Sequence, residues 1–276
     1  MDRIRLIASD MDATLLNEQS QLPADFEETI HALAELGIRF APASGRPLYT
    51  LEAMFPTLQD ELVFIGDNGG AIRWKGQNLF TSEMSPEGWR ALNRLTQEQG
   101  DIAVLCGLES AYVERPFAVH DAVLRHFYTK IEYVDRLEDV TAPADKFTIY
   151  LPQHNAQQAY DTVYASQRSI YSVAVAGECW VDIMNPGVHK GAALQTLGQL
   201  WGLPSESIMA FGDTYNDAEM LQTVRYGFLM ENGSEPLRQK VPFLAPSHRE
   251  AGVMQVLHRV LAQNGCVCPE DFVPAH

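Results

Sequence analysis

Two apolar segments, near opposite ends of the chain, each lead directly into aspartates. The first covers residues 4–9 and is followed by Asp10 and Asp12, and the second covers residues 208–211 and leads to Asp213. Short apolar runs of this kind are typical of buried strands. In an open parallel sheet, ligands bind outside the carboxyl ends of the strands. We therefore expect these aspartates to form one site, suited to a hard cation such as magnesium and to nucleophilic attack on phosphorus.

The segments around these two strands alternate between strand and helix patterns. A strand is predicted over residues 38–43, ending at Ser44, and another over residues 62–65, followed by a hairpin up to Thr81. From residue 186 the alternation of helix and strand patterns returns. Alternating strands and helices favour a parallel sheet with right-handed crossovers. The predicted fold class is therefore α/β, with a doubly wound parallel sheet.

The pattern between these two stretches is different. A helix pattern followed by two strand patterns occurs twice, with the helices predicted over residues 86–99 and 156–167. This order favours an antiparallel sheet with helices on one side. We therefore predict a discontinuous core made of residues 1–82 and 185–276, and an inserted α+β cap domain made of residues 83–184.

Composition narrows the classes of partner. The chain has 276 residues, with 20 Lys plus Arg against 36 Asp plus Glu, and a formal net charge of −16. Such a surface repels nucleic acid and anionic membranes, and no apolar run approaches the ~20 residues that span a bilayer. The start of the chain lacks a signal-peptide pattern, so a cytoplasmic protein is expected, with its four scattered cysteines as free thiols. The composition does not indicate an oligomeric state.

Four segments resemble, in the expected order, the motifs of the haloacid dehalogenase superfamily. Residues 10–15 are similar to the first motif, usually Asp-x-Asp-Gly-Thr, and residues 43–46 to the second, a Ser or Thr at the end of the next strand. Residues 187–191 resemble the third motif, which supplies a lysine, and residues 212–217 the fourth, Gly-Asp-x-x-Asn-Asp. Each motif alone is weak, but the four together are specific and span most of the chain.

Within this superfamily the resemblance is closest to the Cof-type phosphatases, which carry a type IIB-like cap between the second and third motifs. The resemblance implies that Asp10 is the nucleophile and Asp12 the general acid and base. It also implies a magnesium ion held by the Asp10 side chain, the Asp12 main-chain carbonyl and the Asp213 side chain. Asp217 would act on this ion through water. Ala13 departs from the usual glycine, and a positive φ there would cost alanine about 1 kcal/mol.

Further residues are expected to bind the substrate phosphate. The resemblance implies that Ser44 donates a hydrogen bond to a phosphoryl oxygen and that Lys190 neutralises charge on the phosphoryl group and on the nucleophile. Asn216 is a further phosphate donor, the N-cap of the helix that it begins, or both. Arg46 either grips the phosphate or pairs with a neighbouring carboxylate. The sequence does not select among four cap residues that could also face the substrate: Arg115, His120, Glu178 and Trp180.

The predicted function is that of a magnesium-dependent phosphatase acting on a small phosphorylated metabolite through an aspartyl-phosphate. Sugar phosphates are favoured, ahead of pyridoxal phosphate and nucleotide monophosphates. Two alternatives stay open. A phosphomutase of the same fold would pass the phosphoryl group to a second hydroxyl, and a regulatory protein would bind phosphorylated ligands without turnover. Ala13 favours the regulatory alternative, whereas the intact aspartates and Lys190 argue against it. We expect the site to tolerate the extra methyl group of Ala13.

Overall fold

The computed structural model describes residues 1–276. Its α-helices are α1 (Phe26–Glu35), α2 (Leu48–Ala53), α3 (Pro86–Gln99), α4 (Asp121–Phe127), α5 (Ala156–Asp161), α6 (Lys190–Trp201), α7 (Ala218–Thr223), α8 (Glu235–Arg238) and α9 (Gly252–Ala262). Its strands are β1 (Asp2–Arg3), β2 (Leu6–Asp10), β3 (Arg39–Ala43), β4 (Val63–Gly66), β5 (Ala71–Trp74), β6 (Gln77–Thr81), β7 (Ile102–Gly107), β8 (Ala111–Glu114), β9 (Ile131–Val134), β10 (Ala144–Tyr150), β11 (Ser172–Val175), β12 (Trp180–Met184), β13 (Ile208–Gly212), β14 (Tyr226–Met230), β15 (Phe243–Ala245), β16 (Cys266–Val267) and β17 (Val273–Pro274). None of the helices combines the length and the apolar character that crossing a membrane requires.

The first sheet contains nine strands in the order β17-β15-β14-β13-β2-β3-β4-β5-β6. Its six central strands, from β15 to β4, run parallel to one another. The hairpin strands β5 and β6 and the terminal strand β17 pair antiparallel at the two ends of the sheet. The predicted α/β class with a parallel sheet is therefore confirmed, including the hairpin after β4.

Helices cover both faces of the first sheet. On one face, Phe26 of α1 and Leu257 of α9 pack in a hydrophobic cluster with Phe40 of β3. On the other face, Leu194 of α6 packs in a second cluster with Ala41 of β3. Successive residues of a strand point to opposite faces, so a strand covered on both sides must be apolar throughout. This burial explains the continuous apolar runs that mark these strands in the sequence.

The parallel register brings the polar strand ends together at one edge. β2 lies between β13 and β3 and is parallel to both. Ala43, the last residue of β3, is opposite Asp10, the last residue of β2, so Ser44 follows at the same edge. Asp213 directly follows β13 and lies on the other side of β2. The predicted convergence of these strand ends is therefore present in the fold.

The second sheet has the order β11-β12-β10-β7-β8-β9. Its neighbouring strands are antiparallel except for β8 and β9, which are parallel. The expectation of a wholly antiparallel sheet is wrong for this pair. The chain between β8 and β9 passes through a helical turn at Arg115–His120 and through α4, and a crossover of this kind returns the chain in its original direction.

Helices lie on both faces of the second sheet, not on one side as the sequence pattern suggested. Trp89 of α3 packs with Phe147 of β10 on one face, whereas Leu124 of α4 packs with Val104 of β7 on the other. The helix predicted over residues 156–167 is also too long, because α5 ends at Asp161. Two β-branched residues, which disfavour helix, follow directly.

Candidate active site

A cavity of about 410 Å³ opens where the polar edge of the first sheet faces the second sheet. The predicted site residues that line it are Asp10, Asp12, Ser44, Arg46, Asp213 and Asn216. The other two, Lys190 and Asp217, are fully buried beside Asp10. The structure therefore brings all the predicted site residues of the first sheet together.

Lys190 is a buried ammonium group bonded to two carboxylates. It is the first residue of α6, and its Nζ donates hydrogen bonds to Oδ1 of Asp10 and, at 2.7 Å, to Oδ1 of Asp217. Burial lowers the pKa of Lys190, but the two carboxylates more than offset this effect and raise it above its ordinary value. The ammonium group therefore stays charged beside Asp10, as the neutralisation of a phosphoryl group requires.

Both carboxylate oxygens of Asp217 accept hydrogen bonds. Oδ1 accepts the hydrogen bond from Lys190, and Oδ2 accepts from the backbone amides of Asp213 at 3.1 Å and Thr214 at 3.2 Å. Gly212 makes this packing possible, because a Cβ at that position would lie 2.6 Å from Cγ of Asp217. Asp217 thus positions both Lys190 and the loop that carries Asp213.

Three carboxylates, those of Asp10, Asp213 and Asp217, bring oxygens within 4.8 Å of one another. Burial raises the pKa of Asp10 to about 7, against the opposing effect of Lys190. Burial, reinforced by Asp217, raises the pKa of Asp213 to about 6. Burial therefore disfavours the charged forms of these two carboxylates when Lys190 is the only cation beside them. Carboxylate oxygens at this spacing suit a hard divalent cation, so the donor set fits the magnesium ion implied by the motifs.

Asp12 is bound by Arg46. Both terminal nitrogens of the guanidinium group donate to the Asp12 carboxylate, with Nη2 at 3.0 Å from Oδ1. The Arg46 side chain is 13% exposed and the Asp12 side chain 58%, so a largely buried arginine holds an accessible carboxylate. Of the two roles considered for Arg46, this structure shows pairing with a neighbouring carboxylate. Bidentate pairing fixes the orientation of the Asp12 carboxylate.

Ser44 lies in a loop that is tied to the loop after β4. The carbonyl of Ser44 accepts a hydrogen bond from the amide of Asn68 at 2.9 Å, and the carbonyl of Arg46 accepts one from the amide of Asp67 at 2.9 Å. The amide of Arg46 also donates to Oγ of Ser44 at 3.1 Å. Because Oγ accepts this bond, its hydrogen is available for donation into the cavity.

Ala13 adopts a left-handed backbone conformation, with φ of +57°. Its carbonyl accepts a hydrogen bond of 2.8 Å from Nδ2 of Asn232, and Oδ1 of Asn232 accepts from the amide of His248 at 3.0 Å. Asn232 is not one of the site residues predicted from the sequence, yet it holds the turn that presents Asp12. The conformation that glycine adopts freely is therefore retained with alanine, at a cost of about 1 kcal/mol.

Asn216 is exposed and lines the cavity, but it is not an N-cap. Thr214 and Asp217 form a capping box around the turn Tyr215–Asp217, and α7 begins at Ala218. The N-cap alternative for Asn216 is therefore wrong, because Thr214 is the N-cap of this turn and Asp217 is the N-cap of α7. The side-chain amide of Asn216 is left to face the cavity.

The second sheet contributes one face to the cavity. Lys146 and Thr148 of β10 line it together with Trp180 and Asp182 of β12, and Phe127 at the end of α4 joins them. Sequence reasoning considered only Trp180 among these residues. The signal that marks Lys146, Thr148 and Asp182 is the period-two placement of polar residues in apolar strands, since alternate residues of a strand share a face.

The other three cap residues considered from the sequence lie outside the cavity. On exposed parts of the surface, Arg115 forms an ion pair with Asp135, and Oε2 of Glu178 lies 3.2 Å from Nδ1 of His154. His120 packs edge-on against the ring of Tyr150. The structure therefore selects Trp180, which the sequence could not.

Known proteins resemble this chain along most of its length. A family model described as haloacid dehalogenase-like hydrolase matches residues 7–257. A 5-amino-6-(5-phospho-D-ribitylamino)uracil phosphatase of Escherichia coli strain K12 is 31% identical over 262 residues, which cover 94% of this chain and 96% of that protein. An HMP-PP phosphatase of Cronobacter sakazakii is 31% identical over 249 residues, which cover 87% of this chain and 89% of that protein.

A crystal structure of a Streptococcus mutans protein has the same fold, with a TM-score of 0.84 at 28% identity, covering 94% of this chain and 99% of that one. The resemblance carried by the four motifs is therefore confirmed by the family match, by the curated relatives and by the fold. The chain belongs to the haloacid dehalogenase-like hydrolases and is a phosphatase of that family.

Proposed function

We propose that this enzyme hydrolyses a small phosphorylated metabolite with the help of magnesium, through a covalent aspartyl-phosphate on Asp10. The observation that carries the proposal is the hydrogen bond between the Asp10 carboxylate, which lines the cavity, and the buried ammonium group of Lys190. A carboxylate nucleophile needs fixed positive charge beside it, because the phosphate that it attacks is itself negative.

The side chains of Asp10 and Asp213 and the main-chain carbonyl of Asp12 would hold the magnesium ion. The spacing of the carboxylate cluster supports this assignment. Asp217 would act from outside the inner ligand set, since Lys190 and two backbone amides already engage its oxygens. When bound, magnesium supplies charge neutralisation between the nucleophile and the phosphate.

The residues of the cavity can carry both halves of the reaction. An Asp10 oxygen forms a bond to phosphorus while the ester bond to the leaving oxygen breaks, and Asp12 gives that oxygen a proton. Ser44 donates to a phosphoryl oxygen, and Lys190 neutralises the phosphoryl group. Asp12, held by Arg46, then takes a proton from a water molecule. The water oxygen attacks phosphorus, which releases inorganic phosphate and restores Asp10.

We also propose that residues 1–82 and 185–276 form the core domain and residues 83–184 the cap domain. In support, the nine-stranded and six-stranded sheets draw their strands from these separate ranges. Nδ2 of Asn185 donates to the carbonyls of Ser82 and Glu83 at 3.2 Å and 2.8 Å, so the two connecting segments lie side by side. Closure of a cap over the cavity would exclude water from the reacting groups.

The substrate class is proposed from the cavity and from the relatives. A volume of about 410 Å³ suits a small metabolite. Phe127 and Trp180, with ring centroids 5.0 Å apart, form an aromatic corner that a planar group could contact. We propose sugar and sugar-alcohol phosphates as the leading class. The phosphoribitylamino compound named for the Escherichia coli relative comes first, ahead of pyridoxal phosphate and nucleotide monophosphates.

The proposal can be tested with a panel of phosphorylated metabolites. Protein treated with a chelator should be assayed for phosphate release with and without added magnesium. We expect release from a subset of the panel that requires magnesium. A phosphorylated isomer without free phosphate would indicate a phosphomutase, and binding without turnover would indicate a regulatory protein. Undiminished release after thorough chelation would contradict the metal requirement.

A further inference from the structure

We propose that Lys146, from the second sheet, positions the loop of the first sheet that carries Ser44 and Arg46. The inference rests on the proposed phosphatase function and adds to it a requirement for a residue of the proposed cap. Lys146 would be a positioning residue, because it acts on the groups that bind and protonate the substrate rather than on the phosphate.

A bulge in β10 directs Lys146 towards the first sheet. The register between β10 and β7 shifts between Ala144 and Lys146, and a bulge of this kind re-aims the side chains next to it. Asp145 also reaches the first sheet, where its Oδ2 would lie 3.0 Å from a Cβ placed on Gly70. Lys146 is 2% exposed, and a charged side chain is rarely buried so far without partners.

The partners of Lys146 come mainly from the first sheet. Nζ donates a hydrogen bond of 2.6 Å to the carbonyl of Gly45 and lies 2.9 Å from Oδ1 of Asp67. Asp182, from the second sheet, is more distant, with Oδ2 at 3.6 Å. Burial lowers the pKa of Lys146, but the opposite effect of Asp182 and Asp67 is larger. The pKa therefore lies above its ordinary value, and the group stays charged.

The contact with Gly45 completes the bonding of the loop. The carbonyls of three consecutive residues each have a donor: the amide of Asn68 for Ser44, the Lys146 ammonium group for Gly45, and the amide of Asp67 for Arg46. Two of these donors belong to the next loop of the first sheet. The donor to Gly45 comes from the second sheet, so all three carbonyls accept a hydrogen bond only when that sheet is in place.

The two residues that flank Gly45 act at different points of the proposed reaction. Ser44 would donate to the phosphoryl group, and Arg46 holds the acid–base residue Asp12. If the loop loses its middle anchor, hydrolysis should slow for every phosphate ester, whatever its leaving group. A residue that contacts only the leaving group would instead change the KM of particular esters. This difference separates a positioning role for Lys146 from direct recognition of the substrate.

The test uses Lys146→Met, which keeps the approximate length of the side chain but cannot donate. Because this change leaves buried carboxylates without their cation, the double variant Lys146→Met/Asp67→Asn is measured beside it, with one positive and one negative group removed. Asp67→Asn alone keeps the bond from Lys146 to Gly45 and reports the effect of the second change. Lys130→Met, at an exposed lysine in the same part of the chain, is the matched control.

Two readouts are needed. We expect both Lys146 variants to lose roughly ten- to a hundred-fold in kcat on p-nitrophenyl phosphate and on a larger metabolite ester, with little change in KM. Lys130→Met should match the parent. Hydrogen exchange should become faster at the amides of residues 44–46 and 67–68 and stay unchanged in β13.

The proposal would be overturned if the double variant folds and its kcat equals that of Asp67→Asn on both esters. A change in KM confined to the larger ester would also overturn it and would assign Lys146 to direct substrate contact. An inactive parent protein would contradict the proposed function instead. In that case the exchange measurement still decides the inference, since unchanged exchange at residues 44–46 would show that Lys146 does not hold the loop.

Discussion

Nζ of Lys190 lies 2.7 Å from Oδ1 of Asp217, and the same ammonium group donates to Asp10. Asp217 is 0% exposed and Asp10 is 8% exposed, so the lysine joins a fully buried carboxylate to one that reaches the cavity. The second oxygen of Asp217 is bonded to the backbone of the loop that carries Asp213. Asp217 therefore orients both the ammonium group beside Asp10, the proposed nucleophile, and the loop of Asp213, a predicted metal ligand.

Asp217→Asn is expected to lower kcat/KM by roughly ten- to a hundred-fold, the usual range for a residue that orients a metal or catalytic group. Asn has a single acceptor oxygen, so it cannot accept both the hydrogen bond of Lys190 and those of the backbone amides, and either the lysine or the loop that carries Asp213 loses its anchor. More magnesium should therefore be needed for half-maximal activity, which phosphate release over a magnesium titration measures. Glu206→Gln, at an exposed position, is the control, and equal magnesium dependence in both variants would contradict the role of Asp217.

Asp10→Asn is expected to abolish turnover while the fold is retained, because the amide cannot attack phosphorus. Phosphate release measures the first effect, and circular dichroism measures the second. A trapped phosphoenzyme should form with the parent protein and not with the variant. Residual activity within about tenfold of the parent, or ~1.4 kcal/mol in the barrier, would rule out Asp10 as the nucleophile.

Stability and metal affinity should both depend on pH through Asp10 and Asp213. Burial raises the pKa of Asp10 to about 7 and that of Asp213 to about 6 in the metal-free protein, whereas an aspartate in an unfolded chain has a pKa of about 3.9. The folded state therefore binds these protons more tightly. The resulting contribution to the free energy of unfolding is complete below about pH 4 and is lost as the pH rises through 6 and 7.

Magnesium must displace the same protons, so its affinity should fall as the pH drops below about 7. Calorimetric titration in two buffers with different ionisation enthalpies would measure both the affinity and the protons released. Denaturant unfolding of the metal-free protein at several pH values would measure the stability. An affinity for magnesium that stays constant between pH 5 and 8 would contradict the assignment of these aspartates as its ligands.

Ala13→Gly is expected to stabilise the protein by about 1 kcal/mol, because φ of +57° strains alanine but not glycine. Ala251, with φ of +52°, is a second left-handed alanine, and Ala251→Gly is the matched control for stability. Denaturant unfolding measures both variants. For Ala13→Gly, kcat/KM should change by less than about tenfold, or ~1.4 kcal/mol. A rise of several orders of magnitude would show that alanine silences the site and would favour the regulatory alternative.

Replacement of residues 83–184 by a short Gly-Ser linker is expected to leave a folded α/β core. The nine-stranded sheet takes no strand from this range, and the segments around Ser82 and Asn185 are already hydrogen-bonded to each other. The shortened protein should discriminate less among substrates, and it should be slower because the carbonyl of Gly45 loses its donor. Circular dichroism and the substrate panel would test this. A wholly unfolded product would count against a separable cap.

The prediction of helices on one side of the second sheet failed for a physical reason. A repeating order of helix and strand shows that elements will pack, but it does not state on which face each helix lies. Leu124 of α4 packs beside Val104, on the face opposite to that covered by α3. The period-two pattern of β10, with polar Lys146 and Thr148 on one face, was available in the sequence. That this face of β10 lines the cavity follows only from the packing of the two sheets.

The sequence by itself determined the strands of the first sheet, the polar residues at their ends and the positions of the four motifs. These features depend on side chains a few residues apart, through apolar periodicity and turn chemistry. The pairing of Lys190 with Asp10, 180 residues apart, was expected from family resemblance rather than from any local pattern.

Only the tertiary structure decided that Arg46 holds Asp12, that Asn232 supports Ala13 and that Lys146 reaches Gly45. The last two residues are 101 positions apart, with Lys146 in the second sheet and Gly45 in a loop of the first. Whether two such groups meet depends on the bulge in β10 and on how the two sheets pack, and both follow from the summed burial of many side chains. No single segment of the sequence carries that information.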